Sequence, residues 1–225
     1  MIVRKTVFYA VAFVMSLGLG RMVYADGALL LTHTLVGKVP LKSWKELRDE
    51  RVVKQDLDYS CGAASLATLL NEHYSQSITE KEILEAMDKG DGEASFEDMK
   101  KVLSQLGFRA QGFASSWEQL AHLNMPVIVY LKHRKDDHFS VLRGINHQTA
   151  WLADPSFGNR TYSKHQFLDM WQTHSQEEEG PNLWGKFLAI LPASEKIGTS
   201  DAFFTKTPHR QSVRAIEQLS FQHAL

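Results

Sequence analysis

Residues 60–74, SCGAASLATLLNEHY, contain the only cysteine of the 225-residue chain, Cys61, directly before a run of small residues. Apolar side chains recur at helical spacing, among them Ala64, Leu66 and Leu70, which predicts a buried helix with the thiol in its first turn. A single cysteine cannot form an internal disulfide. The thiol is therefore buried and inert, paired with another chain, or reactive.

The predicted helix start suits a reactive thiol, because free N–H groups and the positive end of the helix dipole stabilise a thiolate. Gly62, Ala63 and Ala64 add little bulk beside the sulfur, so a substrate carbonyl can approach it, although small residues also let helices pack closely. Gln55 lies six residues before the cysteine. Its side-chain amide and the Cys61 N–H are a candidate pair of donors to an oxyanion, with an ordinary surface glutamine as the alternative.

A thiolate nucleophile also needs a base and a group that orients the base. His138 opens the predicted strand HFSVLRGIN, and Asp154 ends the next one, TAWLADP. If these strands form a hairpin that turns near Asn146, His138 and Asp154 lie at matched positions on its two arms. The sequence therefore predicts an imidazole–carboxylate pair, with an exposed histidine and an ordinary Asp-Pro turn as the alternatives.

The remaining segments predict helices first and mostly strands later. Ser43 is a candidate N-cap, and capping boxes are indicated by Thr79 with Glu82 and by Ser95 with Asp98. Two further short helices are expected over 116–123 and in SKHQFLDMW. Apart from a short strand early in the chain, strands are expected in FRAQGFA, PVIVYLK, HFSVLRGIN, TAWLADP and WGKFLAIL. This order predicts an α+β fold with an N-terminal helical layer packed on an antiparallel sheet.

The N-terminus has the features of an export signal. Arg4 and Lys5 precede an apolar stretch of about 15 residues, which is shorter than a membrane-spanning helix needs. Small residues suited to a signal peptidase stand before Asp26. We expect a secretory signal over residues 1–25, a periplasmic mature protein and no stable membrane span after cleavage, with an uncleaved anchor as the alternative.

The rest of the chain divides into three parts by composition. Residues 26–50 form a lead-in segment, residues 51–193 form the domain with the candidate site, and residues 194–225 form a polar, aperiodic tail. The formal net charge is -1, with basic and acidic residues interspersed, so nucleic acid is not an expected partner. No cofactor is expected, since the chain lacks a Gly-rich phosphate loop. Residues 133–138, HRKDDH, have metal-ligand residue types but no regular spacing, so no metal site is expected either.

Three motifs together resemble those of a known family. Q-x5-C-G-A-A from Gln55, HF-x-V-L from His138 and D-P-x-x-G from Asp154 are similar to the bacteriocin-processing, or double-glycine, cysteine peptidases. The resemblance covers roughly residues 51 to 191 and implies a papain-like fold. It also implies Cys61 as nucleophile, His138 as base, Asp154 as orienting carboxylate and Gln55 as oxyanion donor.

The chain departs from the usual pattern of that family in ways that affect the substrate. Ser60 stands where an acidic residue often precedes the cysteine, and no transporter segment follows the domain. An exported stand-alone version resembles the peptidase that accompanies functional-amyloid systems of pseudomonads. This implies a periplasmic cysteine endopeptidase that acts on exported proteins, with amyloid fibril subunits as possible partners in biofilm formation. The alternatives are a non-catalytic peptide-binding or secretion-accessory domain of the same fold and a thiol acyltransferase.

Overall fold

The structure, a computed structural model, describes residues 28–31, 36–39, 42–133, 136–172 and 185–208. Within these ranges the chain has six helices, which are α1 (Trp44–Asp49), α2 (Cys61–Tyr74), α3 (Glu80–Met87), α4 (Phe96–Gln105), α5 (Trp117–His122) and α6 (Lys164–Trp171). The helices expected from Thr79 and Ser95 begin where predicted, and both capping boxes form. A residue in the left-handed conformation, Ser75, ends α2.

A six-stranded, fully antiparallel sheet forms the second layer, in the order β3-β8-β4-β5-β6-β7. Its strands are β3 (Phe108–Ser115), β4 (Val127–His133), β5 (Asp136–Ile145), β6 (Thr149–Asp154), β7 (Gly158–Ser163) and β8 (Gly185–Pro192). Strand β7 was not expected, because its sequence GNRTYS has no apolar alternation; it pairs with β6 along its whole length. The predicted α+β class with an antiparallel sheet is confirmed.

Each face of the sheet is covered by helices. On one face, α2, α3 and α4 bury apolar side chains such as Leu66, Ile83 and Met99 against Val141 and Ile190 of the sheet. On the other face, α5 and α6 pack on the sheet around a second cluster that includes Trp117, Phe167 and Trp171. Strand β5 is buried without interruption from residue 139 to 145 because both of its faces are covered.

Helix α2 lies at the centre of the first layer. Every residue from Cys61 to Leu70 is buried, which explains why this helix is apolar or small on all sides rather than amphipathic. It packs on β5, where the Ser65 hydroxyl donates to the Phe139 carbonyl over 3.1 Å. The predicted buried helix that carries the thiol is therefore present.

Near the N-terminus, the described residues form a separate two-stranded antiparallel hairpin of β1 (Ala28–Leu31) and β2 (Val36–Val39). It falls within the segment expected to be a lead-in. The expected signal over residues 1–25 lies outside the described residues. Among the residues that are described, no helix has both the length and the apolar character needed to cross a bilayer.

The segment expected to be a polar tail from 194 onward is in part packed on the domain. Phe203 is buried in the first core, with the guanidinium carbons of Arg51 and Arg143 lying 5.1 and 4.5 Å from its ring centroid. Thr205 exchanges backbone hydrogen bonds with β5, donating to the Arg143 carbonyl over 3.0 Å. The polar composition of this segment did not indicate that it packs on the domain, because a single aromatic side chain, Phe203, anchors it. The tail beyond residue 208 lies outside the described residues.

Candidate active site

Cys61 is the first residue of α2, and the residue before it does not cap the helix. The Ser60 side chain makes no hydrogen bond to the first turn. Its hydroxyl instead donates to the Leu57 carbonyl over 2.7 Å and accepts from the Leu57 N–H over 3.2 Å. The first-turn N–H groups of α2 are therefore left without a side-chain cap beside the thiol, and they can stabilise negative charge there.

The small residues after the cysteine serve packing. A methyl group added at Gly62 would lie 2.7 Å from the end of the Met99 side chain and 2.8 Å from the Ala94 Cβ. Ala63 and Ala64 are fully buried. Close packing, the alternative given above for these residues, therefore explains them better than an open approach to the sulfur.

His138 and Asp154 are brought together by the hairpin of β5 and β6, as predicted. Val141 pairs with Ala153, so Asp154 continues the ladder opposite Ser140, and His138 lies two residues further on the same face. The His138 Nε2 lies 2.9 Å from the Asp154 Oδ2. A register shift between residues 142 and 144 means that the paired residues of β5 and β6 do not lie at equal distances in sequence from the turn. The contact between His138 and Asp154 forms nevertheless.

The imidazole of His138 also interacts with the thiol. The Cys61 side chain acts together with Asp154 to raise the pKa of His138. Since Nε2 is directed at Asp154, Nδ1 is the ring nitrogen left for the sulfur. Three side chains that lie 77 and 16 positions apart in the sequence thus influence one another in the fold, and their catalytic roles stay a prediction.

Electrostatics favours the charged forms of the imidazole and the carboxyl. Burial alone lowers the pKa of His138, but hydrogen bonds and electrostatic attraction from Asp154 and Cys61 outweigh it and raise the pKa to about 9. Burial also acts to raise the pKa of Asp154, yet the hydrogen bond and charge of His138 and two backbone N–H groups hold it below its usual value. At neutral pH the pair is therefore an imidazolium and a carboxylate.

The turn after β6 fixes the direction of the Asp154 carboxylate. Its Oδ1 accepts the backbone N–H groups of Ser156 and Phe157, each over 2.9 Å, which leaves Oδ2 for His138. Asp154 is only 2% exposed. Gly158, with a φ of +76°, closes the turn against α1, where a Cβ would meet the Arg48 carbonyl oxygen at 2.5 Å.

Gln55 is attached to the same turn. Its backbone N–H donates to the Pro155 carbonyl over 3.2 Å, and its side-chain Oε1 accepts the Ser156 hydroxyl over 2.6 Å. Its Nε2 donates to the carbonyls of Leu57 and Asp58, over 2.9 and 3.4 Å. The amide is thus held in the loop that leads to the thiol but is directed at that loop's carbonyls, and its role as an oxyanion donor stays a prediction.

Sequence reasoning missed two residues of this region. The Ser156 hydroxyl donates to the Gln55 side chain. The two residues lie 101 positions apart, so no local sequence pattern predicts this contact. Lys54 precedes Gln55 directly, and its ammonium is buried. The sequence shows a lysine beside a candidate site residue, but it does not indicate that the ammonium of this lysine is buried.

A helix that presents a cysteine to an imidazole–carboxylate pair on an antiparallel sheet defines a papain-like cysteine peptidase domain. The chain matches the Peptidase C39 family over residues 49–175. Because this match covers more than half of the chain, the protein belongs to the Peptidase C39 family of cysteine peptidases.

Two relatives carry a more specific description. The chain is 33% identical over 138 residues to a protein of Pseudomonas aeruginosa described as the probable functional amyloid protease FapD. That alignment covers 58% of this chain and 61% of the relative, less than two thirds of its length. A protein of Pseudomonas fluorescens with the same description is 32% identical over 155 residues, or 64% of this chain and 69% of the relative.

Solved structures support the fold. A double-glycine-motif protease from an AMS/PCAT transporter, crystallised with its leader peptide, aligns with a TM-score of 0.51 and 24% identity, over 63% of this chain and 90% of that one. The peptidase domain of Streptococcus ComA gives the same TM-score at 21% identity, over 63% and 97% of the two chains. The likeness in both cases is one of fold.

Proposed function

We propose that this protein is a periplasmic cysteine endopeptidase that cleaves exported proteins, with functional-amyloid fibril subunits as its substrates in biofilm formation. The observation that carries the peptidase part is the 2.9 Å hydrogen bond between His138 and Asp154, with Cys61 acting together with Asp154 to raise the pKa of His138. The amyloid part is supported by the descriptions of the two Pseudomonas relatives. The periplasmic location is supported by the export signal expected over residues 1–25.

The proposed reaction is acyl transfer to the thiol. The proton of Cys61 is held on His138, which is an imidazolium at neutral pH, and the thiolate of this ion pair attacks a substrate peptide carbonyl. The resulting oxyanion accepts from the backbone N–H of Cys61 and from the Gln55 amide, which exchanges its bond to the Leu57 carbonyl for this one.

The imidazolium then protonates the leaving amine, and the tetrahedral intermediate collapses to a thioester on Cys61. Water, deprotonated by His138, attacks the thioester and releases the carboxylic acid and the free thiol. Asp154 keeps the imidazole oriented, with Nδ1 toward sulfur, through both steps.

The direct test compares the termini of exported proteins from cells with the wild-type protein and with Cys61→Ala. We expect at least one fibril subunit or associated exported protein to lose a mature terminus in the variant, with Ser104→Ala as a control that preserves it. Identical termini in both strains would end the proposal. Loss of a terminus on a protein outside the amyloid system would retain the peptidase and remove the amyloid substrate.

A further inference from the structure

Phe157 is a large apolar side chain that stays exposed beside the candidate catalytic imidazole. It is 42% exposed, and its ring centroid lies 6.5 Å from that of His138, with the two ring planes tilted by 59°. Single aromatic side chains are exposed on most protein surfaces, so exposure alone indicates no function. A peptide bound at His138, however, lies within reach of this ring.

The backbone that carries the ring is fixed on both sides. The Phe157 N–H donates to the Asp154 Oδ1 over 2.9 Å, so the ring belongs to the turn that orients the carboxylate. Gly158 follows in the left-handed conformation, with a φ of +76°. The Ser156 hydroxyl donates to Gln55 over 2.6 Å and joins this turn to the loop that leads to the thiol. A ring held on a fixed backbone contacts a substrate at little cost in conformational entropy.

The chemistry of the reaction determines which substrate residue meets the ring. The imidazolium of His138 protonates the leaving amine, so that amine lies at the imidazole. The leaving amine is the backbone nitrogen of the substrate residue directly after the scissile bond. The side chain of this residue branches from the carbon bonded to that nitrogen, and it therefore extends into the region beside the imidazole where the Phe157 ring lies.

Cationic groups near the ring limit the kind of side chain that fits there. The Arg160 guanidinium carbon lies 5.8 Å from the Phe157 ring centroid, and His138 is itself an imidazolium during bond cleavage. Both groups repel a cationic substrate side chain. An apolar side chain meets no such repulsion and gains free energy when the ring shields it from water.

We propose that Phe157 is a specificity-determining residue, whose ring contacts the side chain of the substrate residue directly after the scissile bond and favours an apolar side chain there. This inference rests on the proposed function, since it assigns a substrate contact to the same reaction. A ring that is open on one side covers only part of a side chain, so we expect a preference of about fivefold for leucine over glycine at this position.

The test uses a small acyl group and free amines, so it does not depend on the natural substrate. p-Nitrophenyl acetate acetylates the Cys61 thiol and releases p-nitrophenol, and the acetyl thioester then reacts with water or with an added amine. The amine attacks the thioester carbonyl, the carbon–sulfur bond breaks, and the proton of the amine passes through His138 to the thiolate. This step is the reverse of amine release, so the added amine occupies the place of the leaving amine.

Leucinamide and glycinamide are compared at one pH, with Cys61→Ala as the blank for uncatalysed acetyl transfer. We expect the wild-type protein to acetylate leucinamide about five times faster than glycinamide. Phe157→Ala should bring this ratio close to one, and Phe157→Tyr, which keeps the ring, should retain it. Phe113→Ala is the matched control and should retain the ratio, because Phe113 is 47% exposed on β3, at the opposite edge of the sheet.

A wild-type ratio near one, or an unchanged ratio in Phe157→Ala, would overturn the inference. A ring that only supports the Asp154 turn gives the second of these results, because its loss slows the transfer to both amines equally. If Phe157→Ala does not fold, Phe157→Gln replaces the ring by a polar side chain and should lower the ratio in the same way. Failure of the proposed function looks different and removes this inference with it, because the wild-type protein would then release p-nitrophenol no faster than Cys61→Ala.

Discussion

Helix α2 and helix α4 both begin after a serine, but the two serines do different things. At α4, the Ser95 hydroxyl accepts the Asp98 N–H, and the Asp98 carboxylate accepts the Ser95 N–H over 2.9 Å. At α2, the Ser60 hydroxyl bonds to Leu57 in the preceding loop, and the helix start has no side-chain cap. The same residue type thus completes one helix start locally and leaves the other open.

The contrast extends to the other helices that the structure describes, since α1, α3, α5 and α6 also have complete capping boxes. A capped start satisfies its N–H groups within four residues of sequence. The start of α2 has no such cap, and the thiol there interacts instead with His138, a residue of the sheet that is distant in sequence. We therefore expect substitution of His138, Asp154 or Gln55 to reduce activity, whereas removal of a helix cap should reduce stability.

The largest effect is expected from Asp154→Asn. An amide cannot accept the Nε2 proton as a carboxylate does, so we expect kcat to fall on the order of 10³–10⁴-fold. Peptide cleavage or acyl-enzyme formation with a fluorogenic substrate measures it. Asp169→Asn is the matched control, because Asp169 also bonds a histidine, His165 at 3.2 Å, on the exposed surface of α6. Equal values of kcat in Asp154→Asn and Asp169→Asn would contradict a catalytic role for the contact between Asp154 and His138.

The same variant should change the pH dependence. The protonated imidazole is the acid that releases the leaving amine, and the raised pKa of about 9 keeps His138 protonated through neutral pH. Without the Asp154 charge, burial remains and lowers the pKa of His138. The alkaline limb of kcat/KM therefore begins near pH 9 in the wild type and moves to lower pH in Asp154→Asn. A limb that stays in place contradicts the assignment of His138.

These expectations also show how far the sequence alone leads. Local patterns were sufficient for α2, for the capping boxes at Thr79 and Ser95, and for the β5–β6 hairpin that joins His138 to Asp154. Each depends on residues close in sequence or on the period of one strand.

Contacts between distant residues were not predictable in this way. Strand β7 is polar and owes its conformation to pairing with β6. Phe203 and Ser156 act on partners more than 50 residues away, so neither local composition nor spacing identifies them.

An intermediate effect is expected from Gln55→Ala. If its amide turns from the Leu57 carbonyl to the oxyanion, its loss should lower kcat on the order of 10²–10³-fold and leave KM little changed. Gln111→Ala is the control, since the amide of Gln111, an exposed residue of β3, donates to the neighbouring Gly112 carbonyl. A wild-type kcat in Gln55→Ala would mean that Gln55 serves the loop alone, and that the N–H groups of α2 are the oxyanion donors.

The smallest effect is expected at the capped helix. Ser95→Ala removes one half of the α4 capping box and should lower the free energy of unfolding by about 1 kcal/mol in urea denaturation, with kcat unchanged. Ser104→Ala in the same helix is the control and should not lower the free energy of unfolding, because the Ser104 hydroxyl donates to the Lys101 carbonyl and caps nothing, and alanine is the better helix former. If Ser95→Ala lowered kcat and left the free energy of unfolding unchanged, the contrast between the capped helix starts and the uncapped start of α2 would be wrong. We expect Ser95→Ala to reduce stability and not activity, because the serine before α4 caps that helix. The uncapped start of α2, beside Cys61, serves the reaction instead.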